Sequence, residues 1–376
     1  MMRSLLVAFL ALSTCVAGRA QADAAPVKTH MVNADGSVTF RLSAPHAQAV
    51  SISLESVKKP LAMVKDAAGV WSVTTPPLKP QIYDYTFVID GKHFPDPMNP
   101  DLHAGFSSIG SLITVPGTPP MPWELAAVPH GVVAIHRFTT HVAQALPLDQ
   151  SRYAVYTPPG YDPKKKGGYP VLYLLHGYTD DFDGWLNSGR ADRILDALIA
   201  QGKAVPMIVV MPLGYGDWNF LTEGMGEWHV PIAVDKNTNL FAEGLETEVM
   251  PSVEREYNTA RDRNHRAIAG LSMGGLETLQ VGLTRPEQFA YVAGFSSAVS
   301  NEGFDAHFPN ADGKKANFKL LWVSVGVDDN LLQPNRDFVA WANTKGYTVD
   351  AVETPGAHEW IVWRDNLVHV LPMLFR

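Results

Sequence analysis

The apolar residues of this chain change their spacing once, and that change limits the fold more than any single motif. From about residue 30 to 115 they alternate with polar neighbours: Val38, Phe40 and Leu42, then Val50, Ile52 and Leu54, then Tyr83, Tyr85, Phe87 and Ile89. The last run closes on the turn pair Asp90-Gly91. A period of two lines one face of a strand, and short strands with Gly and Pro between them build an all-β sandwich. Pro95, Pro97 and Pro100, then Pro116, Pro119, Pro120 and Pro122, punctuate the exit, which puts a boundary near residue 118. After about residue 130 the period is lost to short, largely apolar runs: Val171–Leu175, Met207–Met211 and Leu320–Val325. Helical patterns separate them. One has Ile194, Leu195, Leu198 and Ile199 on one face and stops at Gly202; another runs from about Gly275 to Thr284, ahead of Pro286. Strands that alternate with helices form a mostly parallel sheet covered on both faces, with ligands at the carboxyl ends of its strands.

A chain of 376 residues suits two domains better than one, and 46% hydrophobic residues can fill two cores. Its formal charge of −8 opposes a phosphate backbone. Lys164-Lys165-Lys166 beside Gly167-Gly168 reads as a solvated loop, so nucleic-acid binding is not expected. Arg3, the apolar run Leu5–Leu12 and Ala20-Gln21-Ala22 together read as a signal peptide cut after Ala22, which implies a secreted or periplasmic protein. Losing Arg3 and Arg19 takes the charge to about −10. No later segment is apolar enough to insert in a membrane. Cys15, the only cysteine, falls in this leader; lipidation there is the alternative, although Thr14 is an awkward predecessor. Without Cys15 the protein has no disulfide, thiol nucleophile or zinc–thiolate site. Neither a zinc-binding H-E-x-x-H nor a nucleotide-binding glycine loop is present, so no metal and no cofactor is expected.

Gly270-Leu271-Ser272-Met273-Gly274 matches G-x-S-x-G, between an apolar run and a helical pattern. Such a turn presents the serine hydroxyl as a nucleophile, and side chains at either glycine would clash with the crossing backbone. A plain tight turn is the alternative. A serine needs a base, and the base needs an orienting acid. Three histidines follow Ser272. His307 comes before the last strands, and His369 falls in a C-terminal helical pattern. His358, in Pro355-Gly356-Ala357-His358, follows the strand candidate Val349–Val352 and stands at a carboxyl end. Asp328 or Asp329, after Leu320–Val325, can supply the acid, ahead of Asp350 and Asp337. The backbone N–H of Met273 and that of Tyr178, in Leu174-Leu175-His176-Gly177-Tyr178, can face an oxyanion; His176 then serves the loop as a hydrogen-bonding residue. The stretch 216–229 either overhangs this site, with Trp218, Phe220, Met225 and Trp228 lining an acyl or sugar pocket, or packs on its own domain.

The segments YAVYTPPGYDP (153–163), YPVLYLLHGYTDDFDGW (169–185), GRADRILDALIAQGKAVPMIVVMPLGYG (189–216), RAIAGLSMGG (266–275), VGVDDNLL (325–332) and GAHEWIVWRDNL (356–367) together resemble the esterase-D-like α/β-hydrolases of carbohydrate esterase family 1. That group includes feruloyl and acetylxylan esterases, with enterochelin esterases as relatives. The resemblance implies an α/β-hydrolase fold over 119–376. It selects Asp329 through a G-x-x-D pattern, and matches His358 and Trp360 to a histidine followed two residues later by tryptophan. VTFRLSAPHAQAVSI, GVWSVTTPPL and YDYTFVIDG resemble the glycogen-binding-like, immunoglobulin-type sandwich of carbohydrate-binding family 48, placed at 23–118 behind the leader 1–22. Only Trp71 of the nine tryptophans lies there, in a core pattern, so a structural or substrate-shaping role is expected rather than a glycan platform.

The expectation is therefore a serine esterase acting on feruloylated or acetylated plant xylan, or on a small aromatic ester. Its catalytic set is Ser272, His358 and Asp329, its oxyanion donors Tyr178 and Met273, and its candidate substrate contacts Trp218, Trp228 and Trp360. The alternatives are a siderophore triester esterase, an acyl transferase, and a non-catalytic carbohydrate-binding protein.

Overall fold

The computed structural model describes residues 27–300 and 303–376. The leader expected at 1–22, with Cys15, lies outside these described residues.

Each period-two run is a strand, and the strands pair antiparallel because short turns join them. They are β1 (His30–Val32), β2 (Val38–Ser43), β3 (Val50–Leu54), β4 (Leu61–Ala62), β5 (Val64–Lys65), β6 (Val70–Thr74), β7 (Gln81–Ile89), β8 (Lys92–Phe94), β9 (Leu102–Ala104) and β10 (Ile109–Val115). One sheet has the order β1-β2-β6-β5; the other runs β4-β3-β7-β10-β9, with β8 beside β7. Their inward residues meet in one core: Phe40 and Leu42 from β2, Ile52 from β3, Trp71 from β6, Tyr85 and Phe87 from β7, Ile113 from β10. Complete burial of side chains such as Phe40, Ile52 and Phe87 stabilises the layer by roughly 1.5–3 kcal/mol each. Trp71 belongs to this core, with its indole N–H donating to Ala44 O at 2.9 Å. It offers no open face to a sugar.

The second region builds an eight-stranded sheet from β11 (Val132–Thr139), β12 (Gln150–Thr157), β13 (Val171–Leu175), β14 (Ile208–Pro212), β15 (Arg266–Leu271), β16 (Tyr291–Phe295), β17 (Leu320–Gly326) and β18 (Asp350–Thr354). The order is β11-β12-β14-β13-β15-β16-β17-β18. The sheet is mixed. β11 and β14 run antiparallel to β12, whereas every pairing from β14 through β18 is parallel. The central strands are almost wholly apolar because both faces are covered. Leu172, Leu174 and Val209 face the helices Ala191–Ala200 and Trp360–Val370. Their neighbours Tyr173, Leu175 and Val210 face Met273–Thr284 and Leu332–Thr344, through Leu279, Val281 and Phe338.

The two regions do not hang on a loose linker. Ile82 of β7 and Leu112 of β10 are buried in the core of the larger domain. Arg364, fully buried in the helix Trp360–Val370, donates to Gln81 Oε1 and Ile82 O of β7 and to Ser188 O. A buried guanidinium requires such acceptors, since leaving one unpaired would cost several kcal/mol.

Candidate active site

β15 ends at Leu271, and the chain turns straight into the helix Met273–Thr284, two residues earlier than the glycine pattern predicts. Ser272 at the corner has φ 53° and ψ −113°, a backbone state that an L residue adopts only where its surroundings force it. The glycines make the corner possible. A Cβ on Gly270 would lie 2.3 Å from Gly274 O, and one on Gly274 would lie 2.5 Å from His176 O. Neither could be accommodated without moving backbone.

His358 arrives on the loop after β18, at the carboxyl edge of the sheet. Its Nε2 is 2.9 Å from Ser272 Oγ and its Nδ1 is 3.0 Å from Asp329 Oδ2. With the Nδ1 proton directed at Asp329, Nε2 is left to accept from the serine hydroxyl. Asp329, 5% exposed, sits just past the end of β17 and also accepts from the Leu331 amide at 2.8 Å. Burial alone would raise its pKa, but the hydrogen bond and charge of His358 and that amide hold the carboxyl below the usual range. Asp328 is exposed and turns away, its nearest cation being Lys58 at 3.9 Å. Asp350 begins β18, Asp337 lies on the helix Leu332–Thr344, and His369 is on the exposed face of Trp360–Val370.

His176 is buried and occupied: its Nδ1–H faces Gly177 O at 2.8 Å, and its Nε2 accepts from the Gly214 amide at 2.8 Å. Burial lowers its pKa, so it stays neutral and ties the loops after β13 and β14 together. Met273 is the first residue of its helix, where an amide has no intrahelical acceptor. The Tyr178 amide has no hydrogen-bond acceptor among the described residues. Its ring lines the cavity, and its hydroxyl donates to Phe220 O at 3.0 Å.

Ser272 and His358 open into a cavity of about 1160 Å³. The stretch after β14 does overhang it. Trp218, Met225 and Trp228 line the wall, while Phe220 lies behind, buried, with its ring 5.0 Å from that of Trp228. Trp360 is a correction: it does not line the cavity. It opens the helix after His358, which turns its ring inward to lie 5.2 Å from Trp185 and 5.4 Å from Trp363. His307, too early in the chain for a base, lines the far wall, 3.8 Å from Asp235.

Two of the lining residues come from the other domain, which was not anticipated. Phe106 and Ser107, between β9 and β10, reach in from the sandwich. The Phe106 amide donates to Thr179 O at 2.7 Å, and its ring stands edge-on to Trp218 at 5.0 Å. An aromatic residue in a glycine-flanked turn, outside the period-two pattern, was the available signal. A second contact beside it had none. His103 bridges Asp84 Oδ2 (2.6 Å) in its own domain and Asp180 Oδ1 (3.0 Å) in the loop after Tyr178. Burial opposes a charge on this ring, but hydrogen bonds to the two carboxylates prevail and push its pKa up to about 10.

Residues 148–374 match the family model described as "Putative esterase", and residues 27–101 match carbohydrate-binding module 48, the isoamylase N-terminal domain. An endo-1,4-beta-xylanase/feruloyl esterase from Xylanibacter ruminicola is 31% identical over 355 residues, covering 92% of this chain but 46% of that protein. The chain thus spans about half of that relative. Among solved structures, the CE1 ferulic acid esterase of Anaeromyces mucronatus aligns with a TM-score of 0.57 at 22% identity, over 67% of this chain and 93% of that one. The enterobactin esterase of Shigella flexneri aligns with a TM-score of 0.67 at 18% identity, over 89% and 92% respectively. At these identities the two structures establish the fold only. With the family match across the residues that carry Ser272, Asp329 and His358, this chain belongs to the esterase family, with a region that matches carbohydrate-binding module 48 ahead of the matched part.

Proposed function

We propose that this esterase removes feruloyl groups from plant xylan through a Ser272–His358–Asp329 acyl-enzyme mechanism. Ser272 Oγ attacks the ester carbonyl as His358 Nε2 takes its proton, and Asp329 steadies the imidazolium that results. The amides of Tyr178 and Met273 face the oxygen on which charge develops. When the tetrahedral adduct collapses, the sugar hydroxyl leaves with the proton from His358. Water then attacks the acyl-serine, again with His358 as base, and releases the free acid.

The observation that carries this reading is the cavity lining. Tyr178, Trp218, Trp228 and Phe106 offer aromatic surface, and none of the described lining residues is lysine or arginine. A neutral aromatic acyl group suits such walls. A ferric catecholate siderophore is polyanionic and would require cationic partners. An acetyl group would leave most of the volume unfilled. The shared fold with an enterobactin esterase keeps siderophore hydrolysis as the competing reading. We also propose export through the leader at 1–22, so that the enzyme meets polysaccharide outside the cytoplasm.

Parallel assays on methyl ferulate, acetylated xylan and a catecholate siderophore, with Ser272→Ala as control, test the proposal. Release of ferulate well above the other two products, abolished in Ser272→Ala, is expected. Preferential hydrolysis of the siderophore would reverse the substrate assignment. Undiminished activity in Ser272→Ala would reject the mechanism.

A further inference from the structure

The loop that delivers His358 is held from outside its own domain. β3 ends at Leu54, and the next two residues, Glu55 and Ser56, form a turn that presses on the start of the helix Trp360–Val370. Glu55 uses both carboxylate oxygens. Oε2 accepts from the Asp84 amide of β7 at 2.9 Å, and Oε1 accepts from the Ile361 amide at 3.3 Å. Ile361 is the second residue of that helix, so its N–H is one of the four that a helix cannot satisfy internally. A carboxylate there is a good partner for the positive end of the helix. The helix has no side-chain cap of its own at Glu359. Its cap comes from a residue 306 positions earlier, in the other domain.

Ser56 completes the grip. Its amide and hydroxyl donate to the two carboxylate oxygens of Glu359, at 3.1 and 2.8 Å. Glu359 Oε1 also accepts from the Ala357 amide at 3.2 Å. Ala357 and Glu359 are the two neighbours of His358, so the carboxylate spans the histidine from one side to the other. Ser56 itself has φ 62°, a strained state for a residue other than glycine, which points its donors at Glu359.

Asp84 extends this grip to the other side of the site. Its amide meets Glu55, and its carboxylate meets His103, whose second nitrogen reaches Asp180 two residues beyond Tyr178. The Phe106 amide holds the intervening residue, Thr179. Through Glu55 on one side and His103 on the other, one residue of β7 is therefore linked to both the start of the helix after His358 and the loop with the proposed oxyanion donor.

We infer that the sandwich domain positions the catalytic groups: the Glu55–Ser56 turn caps the helix after His358 and fixes His358 over Ser272. Glu55 and Ser56 are positioning residues, since neither reaches the cavity. This inference rests on the triad reading given above.

The test uses the full chain and methyl ferulate. Ser56→Gly removes a hydroxyl while relieving the strained φ, so it folds at least as well. Glu55→Ala removes the cap. The double variant is expected to lose roughly ten- to a hundredfold in kcat with KM within about twofold, because a small misplacement of a reacting group carries a penalty of this size. Ser56→Gly alone should show a smaller loss in the same direction, and Glu55→Gln, which keeps one acceptor, should recover part of the Glu55→Ala loss. Val38→Ala in the sandwich core, where Val38 is fully buried, serves as the stability control: it should lower the melting temperature and leave kcat intact. Wild-type kcat in the double variant, with Ser272→Ala inactive, would overturn the inference and spare the triad. A fall in kcat for Val38→Ala that tracks its lost stability would overturn it too. Activity surviving in Ser272→Ala would remove the triad reading on which the inference depends.

Discussion

Two histidines of this protein have nearly the same surroundings by distance and opposite chemistry. His358 lies between a hydroxyl and a carboxylate, at 2.9 and 3.0 Å; His103 lies between two carboxylates, at 2.6 and 3.0 Å. With Ser272 on one side, His358 keeps a nitrogen lone pair and can take a proton. Between Asp84 and Asp180, both nitrogens of His103 must donate, so the ring holds its proton and becomes a strut between domains. The partner on the second nitrogen separates a base from a brace.

The largest effect should come from removing the hydroxyl that makes His358 useful. Ser272→Ala is expected to lower kcat on any ester by roughly 10⁴-fold or more, read in a single-turnover assay. Next, Asp329→Asn should lower kcat by about 10⁴-fold by stabilising the wrong tautomer of His358, while Asp328→Asn stays within about twofold of wild type. A large loss in Asp328→Asn with Asp329→Asn near wild type would move the acid from Asp329 to Asp328.

For His103 the readout is stability. Its pKa rises from 6.5 to about 10 on folding, so the stabilising contribution is full below pH 6.5 and is lost as pH rises through 10. His103→Gln should destabilise the protein by a few kcal/mol at pH 6, and its denaturation midpoint should vary less than that of wild type between pH 6.5 and 10. A variant with an unchanged pH dependence would show that His103 is not the brace. Milder still, Trp228→Ala should raise KM for methyl ferulate by up to about tenfold, the size of an aromatic contact, and leave a small acetate ester unaffected.

Glu277 carries the smallest prediction. It lies on the helix Met273–Thr284, fully buried, with Oε1 3.3 Å from Asn237 Nδ2 and Oε2 without a partner among the described residues. Burial, only partly opposed by Asn237, raises its pKa well above 4.5. A raised carboxyl penalises the fold progressively as pH climbs above 4.5. Glu277→Gln should therefore be more stable than wild type by about 1 kcal/mol at neutral pH, with the gap widening as pH rises. A gap that narrows with pH would contradict an uncharged Glu277.

What could be read from the sequence follows the same division. The sharp corner at Ser272 was legible because its constraints are local: Gly270 and Gly274 sit two residues from Ser272, and their backbones must cross. His358 was legible from chain order and the strand before it. Asp329 came forward only through the family pattern, because the residues alone left Asp328 equally placed. Trp360 was misread since spacing along the chain does not say which way a first helical turn faces; the side chain turned toward Trp185. The contacts of Glu55 and His103 had no local signature. They depend on how two domains meet, and partners about 300 positions apart, such as Ser56 and Glu359, leave no periodicity to detect.

Arg364 gives the interface a practical meaning for protein engineering. Two family models divide this chain as if it were a pair of interchangeable modules. Yet its guanidinium is buried where the acceptors are Gln81, Ile82 and Ser188, two of the three supplied by the upstream module. Exchanging that module for an unrelated one would strand a cation inside the larger domain. A workable chimera must carry the outer face of β7 with it, so the natural unit of exchange is the whole two-domain body.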